Sequence, residues 1–140
     1  MDIHKLLTRC RTRNAAIAEM EGLLERTGNP RAQAELLAAL RHGRRMLAAE
    51  QVAIILLSEG LPGPERDAVR LFFGRGREIG EVARTLRQPP GEAYRLVESG
   101  RARMLDIPPG RIAATLPMWY MDAEESEEGA RGGVGHDGEG

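Results

Sequence analysis

Cysteine occurs once in the 140 residues, at Cys10, so no disulfide can form within the chain. Aromatic residues are nearly as scarce, at 4%, and lysine is represented only by Lys5. No stretch approaches the roughly 18 uninterrupted apolar residues of a membrane span. The opening Met-Asp-Ile-His-Lys also lacks the apolar core of a secretory signal. The expected setting is therefore cytoplasmic, with no membrane partner. His4, His42 and His136 are scattered without ligand spacing, so no metal is expected. Gly74-Arg75-Gly76 lacks the preceding strand and following Lys-Ser/Thr of a phosphate loop. A single Arg131-Gly132-Gly133 says little about RNA. No nucleophile–base pair stands out, and neither catalysis nor a cofactor is expected.

What the chain has in quantity is Ala, Leu and Arg, a composition that suits helices. Its net charge of −1 hides an asymmetry. Residues 1–121 carry 19 basic against 14 acidic side chains, net +5, while residues 122–140 carry one against seven, net −6. A basic body with an acidic tail is a common layout among nucleic-acid regulators. Arginine also favours bidentate contacts to phosphate and guanine.

Periodicity predicts an all-α chain. Ile3, Cys10, Ile17 and Leu24 recur every seven residues, with Leu6, Leu7, Met20 and Leu23 beside them, the seam of a coiled coil or of a helical hairpin. Arg13 interrupts this stripe, and Cys10 lies on it as a core residue. At Thr27-Gly28-Asn29-Pro30, Gly28 suits a left-handed exit, Asn29 a cap and Pro30 a first helical position. A second helix then runs to about Ser58. The short turn predicts an N-terminal antiparallel hairpin over residues 1–60, serving packing or oligomerisation. Val52-Ala53-Ile54-Ile55-Leu56-Leu57 is β-branched, but no second strand candidate exists to pair with it. It is expected to be the buried end of the second helix, against the next unit or in a dimer interface.

Residues 61–121 predict a second unit. Short helices run from Glu65 to Phe73 and from Glu78 to Leu86, and Arg87-Gln88-Pro89 turns the chain into a longer helix over 90–105. The last two helices form a helix-turn-helix layout, whose second helix enters the major groove. Ala93, Val97, Gly100 and Met104 are expected inward, with Ala83 and Gly100 allowing the two helices to cross closely. Glu92, Tyr94, Arg95, Glu98, Ser99 and Arg101 then face outward. Arg95 suits guanine, Tyr94 a phosphate or thymine methyl, and Glu92 cytosine N4. Gln88 and Ser99 complete the candidate DNA-binding set. Arg87 and Arg101 suit phosphates, as do Arg75 and Arg77 more weakly. Trp119 and Tyr120 either pack back or form a partner-binding arm. Residues 122–140, rich in Gly and acids, are expected to be a disordered tail able to compete with DNA phosphates.

Leu61-Pro62, Glu65-Arg66-Asp67-Ala68-Val69, Leu71-Phe72-Phe73-Gly74 and Glu81-Val82-Ala83-Arg84-Thr85-Leu86 together resemble the C-terminal promoter-binding region of bacterial sigma factors. With the hairpin in front, the whole is similar to small sigma-like transcriptional regulators of phages and prophages. The resemblance implies a helix-turn-helix that binds double-stranded promoter DNA and a surface that touches RNA polymerase. It places Tyr94 and Arg95 at base-contacting positions, with Glu92 just before them. The family's Gly-hydrophobic-Ser turn is replaced here by Arg87-Gln88-Pro89-Pro90-Gly91, and nothing resembles the sigma region that melts DNA. A small terminase-like DNA-packaging subunit and an adaptor that docks on RNA polymerase without DNA are the competing expectations. A homodimer through the N-terminal hairpin is a further expectation; a monomer or dimer would favour regulation, and a ring-forming oligomer packaging.

Overall fold

Helix starts follow the residues able to hold free amides or do without them. Asp2 accepts a hydrogen bond from the Lys5 amide at 2.8 Å and starts α1 (Ile3–Arg26). Asn29 accepts from the amides of Arg31 and Ala32, and Pro30 occupies the first turn of α2 (Pro30–Leu57). The chain leaves α1 through an extended Thr27. Gly28 does not take the expected left-handed conformation; among the described glycines only Gly76 has positive φ. The structure is a computed structural model and describes residues 1–127. Within them follow α3 (Gly63–Val69), a π-helical turn at Arg70–Gly74, α4 (Ile79–Leu86), α5 (Pro90–Met104), α6 (Pro109–Ala114) and α7 (118–127). The fold is all-α, with no strand among the described residues, and none of its helices is long and apolar enough to cross a membrane.

α1 and α2 run antiparallel: Arg13 meets Glu50, and Ile17 lies against Gly43. The seven-residue stripe is the inner face of this pair, with Ile3, Cys10 and Ile17 buried. The arginine that breaks the stripe has a buried counter-charge. Arg13 donates to Glu50 at 2.8 Å, and Tyr120 of α7 donates its hydroxyl to the other Glu50 oxygen at 2.6 Å. Both Glu50 and Tyr120 are wholly buried. Burial opposes the charge on Arg13, but the hydrogen bond and charge of Glu50 prevail and raise its pKa. Burial, then the hydrogen bond and charge of Glu50, push the Tyr120 hydroxyl well above the usual tyrosine range.

Residues 1–60 and 61–121 do not have separate cores. One apolar cluster runs from Ile3 and Leu6 through Ile54, Val69, Val82 and Val97 to Ile112 and Tyr120. The π-helical turn contributes Phe73 to it. It frees the Gly74 carbonyl, which accepts from Asn14 at 2.9 Å and Gln51 at 2.8 Å, with the Cys10 thiol at 3.5 Å. Arg11 of α1 lies over the Phe72 ring at 3.7 Å and donates to the carbonyls of Phe72 and Arg77. Cys10 is core, and burial, reinforced by Glu50, pushes its thiol far up.

Order does not stop at Met121. Residues 122–127 continue α7, and Glu124 is buried beside Arg9 at 2.8 Å. Glu127 meets His42 at 2.9 Å and Arg13 at 3.6 Å. Partial burial opposes ionisation of Glu127, yet these partners win and hold its carboxyl below the usual range. This part of the expected tail thus packs as helix against α1 and α2, which supply basic partners that its own composition lacks. Residues 128–140 of the expected tail lie outside the described residues.

Candidate nucleic-acid interface

The geometry of α5 is set by what it buries. Ala93, Leu96, Val97, Gly100 and Met104 are inside, and both α3 and α4 pack against them. Gly100 does not serve the crossing with α4. A Cβ there would lie 2.6 Å from Val69 Cγ2 and 3.1 Å from the Glu65 carbonyl oxygen, so the close approach is to α3. Val82 and Ala83 supply the buried face of α4.

Contact with two helices widens the buried arc of α5, and this removes Ser99 from the outward set. Its hydroxyl donates to Glu65 Oε1 at 2.7 Å, while Arg103 holds Glu65 Oε2 at 2.7 Å. Ser99 ties α5 to α3 and is half-buried, so it is not part of an open DNA-facing surface. Arg103, which the periodicity did not single out, is its companion in that tie. Arg101 is half-buried and bonded to Glu98 at 2.9 Å, an intrahelical pair that offsets the negative charge of Glu98 on this face.

The exposed set lies at the start of α5. Tyr94 is 58% exposed, the second most exposed large apolar side chain after Met118 among the described residues. Arg95 is exposed and pairs bidentately with the half-buried Glu92, with Nε 2.9 Å from one carboxylate oxygen. That hydrogen bonding holds the Glu92 carboxyl below its usual range and raises the Arg95 pKa. The pair lies at the protein surface, where such bridges exchange readily with water or a ligand. No side chain caps the first turn of α5. Arg87 and Gln88 are exposed in the turn before it, and Arg84 and Thr85, which sequence reasoning passed over, are exposed on the last turn of α4.

The turn itself is unusual. Arg87 sits at φ 56°, ψ 46°, the one non-glycine residue with positive φ among those described. The Gln88 amide closes the end of α4 on the Ala83 carbonyl at 3.0 Å. Glycine is the residue this conformation ordinarily selects.

Arg75 and Arg77 are exposed but belong to another neighbourhood. Their loop is fastened to α1 by Arg11 and by Asn14, whose side chain underlies Gly76. They precede α4, so the length of that helix, about 12 Å, separates them from Arg87. Arg77 is within 3.5 Å of Glu81. No family model, curated protein or solved structure matches the chain.

Proposed function

We propose that the protein is a sigma-like transcriptional regulator that binds duplex DNA with the N-terminal half of α5. The carrying observation is Arg87: a strained left-handed conformation is occupied by a long cation where glycine would be relaxed, at the mouth of an exposed helix. Strained backbone of this kind clusters at binding sites. Arg87 and Arg84 supply phosphate contacts that position α5. Tyr94 and Arg95 point into the groove, with Arg95 exchanging Glu92 for the O6 and N7 of a guanine. Glu92 then holds Arg95 in its extended fork until a base replaces it, and the tie of Ser99 and Arg103 to Glu65 fixes α5 against α3.

Titration of a fluorescent duplex at low and physiological salt tests this directly. Arg95→Ala should weaken the preferred site by about tenfold to a hundredfold and relax preference at one base pair. Arg101→Ala, whose guanidinium is held by Glu98, should have a smaller effect that is equal on all sequences. No DNA binding at low salt, with capture of RNA polymerase intact, would replace this function with that of an adaptor.

A further inference from the structure

We infer that the chain forms a two-fold dimer through the outer face of α2, with a second copy lying antiparallel across Val52. The inner side of this helix end is core, with Ala53, Ile54 and Leu57 buried. The outer side is apolar as well: Val52 is 53% exposed, Ile55 45% and Leu56 46%, and Ala48 is exposed one turn earlier. Steps of about 100° per residue put Ala48, Val52 and Leu56 within about 40° of one line along the helix. The stretch whose β-branched run had no partner strand thus has a second apolar face that the described residues leave uncovered.

The pattern around Val52 says what covers it. In a two-fold contact residue i meets j and j meets i. An antiparallel copy centred on Val52 therefore sets Leu56 against Ala48, a large side chain over a small one, twice. Beside Ala48 an open groove between α2 and residues 115–119 has an apolar lining that includes Val52, Pro117 and Trp119. The opposing Leu56 fits that depression. The same operation sets Arg45 against Glu59, since each lies seven residues from Val52. Arg45 is exposed with its guanidinium 4.0 Å over the Trp119 ring, and Glu59 is exposed in the turn after α2. A parallel copy would instead oppose Arg45 to Arg45 and Glu59 to Glu59. Charge thus selects both the antiparallel sense and the register, as it does at other self-associating helix faces. None of these residues belongs to α4 or α5, so the dimer does not depend on DNA binding.

Sedimentation of the full chain without DNA, from about 1 to 200 µM, should show a monomer–dimer equilibrium. Val52→Arg places like charges on the two-fold axis at an exposed site. It should leave helicity and melting unchanged while weakening the dimer at least about tenfold. Arg45→Glu and Glu59→Arg should each weaken self-association by a similar factor, and a 1:1 mixture of the two should associate again. The mixed dimer lacks one Arg45–Trp119 stack that the Glu59→Arg dimer keeps, so association tighter than that of Glu59→Arg alone isolates the charge pairing. A wild-type monomer throughout the range would assign this face to some other protein and overturn the dimer. A dimer indifferent to Val52→Arg, or a mixture no tighter than its components, would overturn the register.

Discussion

Replacing Arg87 by glycine should separate stability from DNA binding in opposite directions. A non-glycine residue in the left-handed region costs roughly 1–2 kcal/mol relative to its relaxed conformation. Glycine removes that strain but gives the unfolded chain more freedom, worth roughly 0.5–1 kcal/mol. The side chain of Arg87 is exposed and makes no packing contribution to set against this. The closing bond from the Gln88 amide to the Ala83 carbonyl uses backbone atoms alone and survives the change. Arg87→Gly should therefore stabilise the protein by about 0.5–1 kcal/mol, or about 2–4 °C in Tm for a chain of this size. Urea unfolding followed by helical circular dichroism measures the first effect. Salt-dependent DNA titration measures the second: loss of one phosphate contact should weaken binding on all sequences and lower the salt slope by about one. A variant that is less stable, or that binds DNA with unchanged affinity and slope, would refute the link between strain and function at this turn.

Tyr120→Phe leaves the shape of the core but deprives the buried Glu50 carboxylate of a donor; chemical denaturation should show a loss of about 1.5–3 kcal/mol, and an unchanged midpoint would mean that Glu50 is satisfied without it. Both Cys10 and Tyr120 have folded pKa values raised by burial, so the stability they confer is complete below their unfolded values and is lost as pH rises toward the folded ones. Stability should decline above about pH 8.5 and more steeply above about pH 10, with the second component absent from Tyr120→Phe; a flat profile from pH 8 to 11 would contradict this. Gly100→Ala gains up to about 1 kcal/mol of helix propensity but drives a methyl against buried Val69 and the Glu65 backbone, so a net loss of about 1–2 kcal/mol is expected, and a more stable variant would place α3 further from α5. Val97→Asp buries a carboxylate at a site only 1% exposed and should cost several kcal/mol; because the core is continuous, residues 1–60 should unfold together with the rest, and a separately melting hairpin would show two cores.

The elements were legible where local chemistry dictates them. Asn29-Pro30 carries the chemistry of a helix stop and restart, and the seven-residue stripe marked a seam, of a hairpin or of a coiled coil, whose first three positions are buried between α1 and its neighbours. Long-range pairs left no such mark. Arg13 looked like a flaw in the stripe because its partners stand 37 residues away at Glu50 and, through that carboxylate, at Tyr120 of α7. The acids at Glu124 and Glu127 read as solvated tail because composition cannot show that Arg9, Arg13 and His42 face them. The interface was legible in part for a similar reason. Periodicity correctly put Ala93, Val97, Gly100 and Met104 inside. It assumed one packed face, however, and α5 has two neighbours, so Ser99 fell on the wrong side of the boundary. The left-handed Arg87 had a signal in the sequence, the absence of a glycine from the turn, but its meaning depends on a φ value that no pattern supplies.

The central claim is that the start of α5 reads base sequence in duplex DNA. Selection of bound fragments from a genomic library, carried out in parallel with the wild-type chain and Arg95→Ala at physiological salt, tests it most directly. The wild-type chain should enrich fragments sharing one short sequence that contains a guanine, and Arg95→Ala should retain that sequence with the preference for this guanine lost. Enrichment of no shared sequence, or an identical sequence from both proteins, would contradict it.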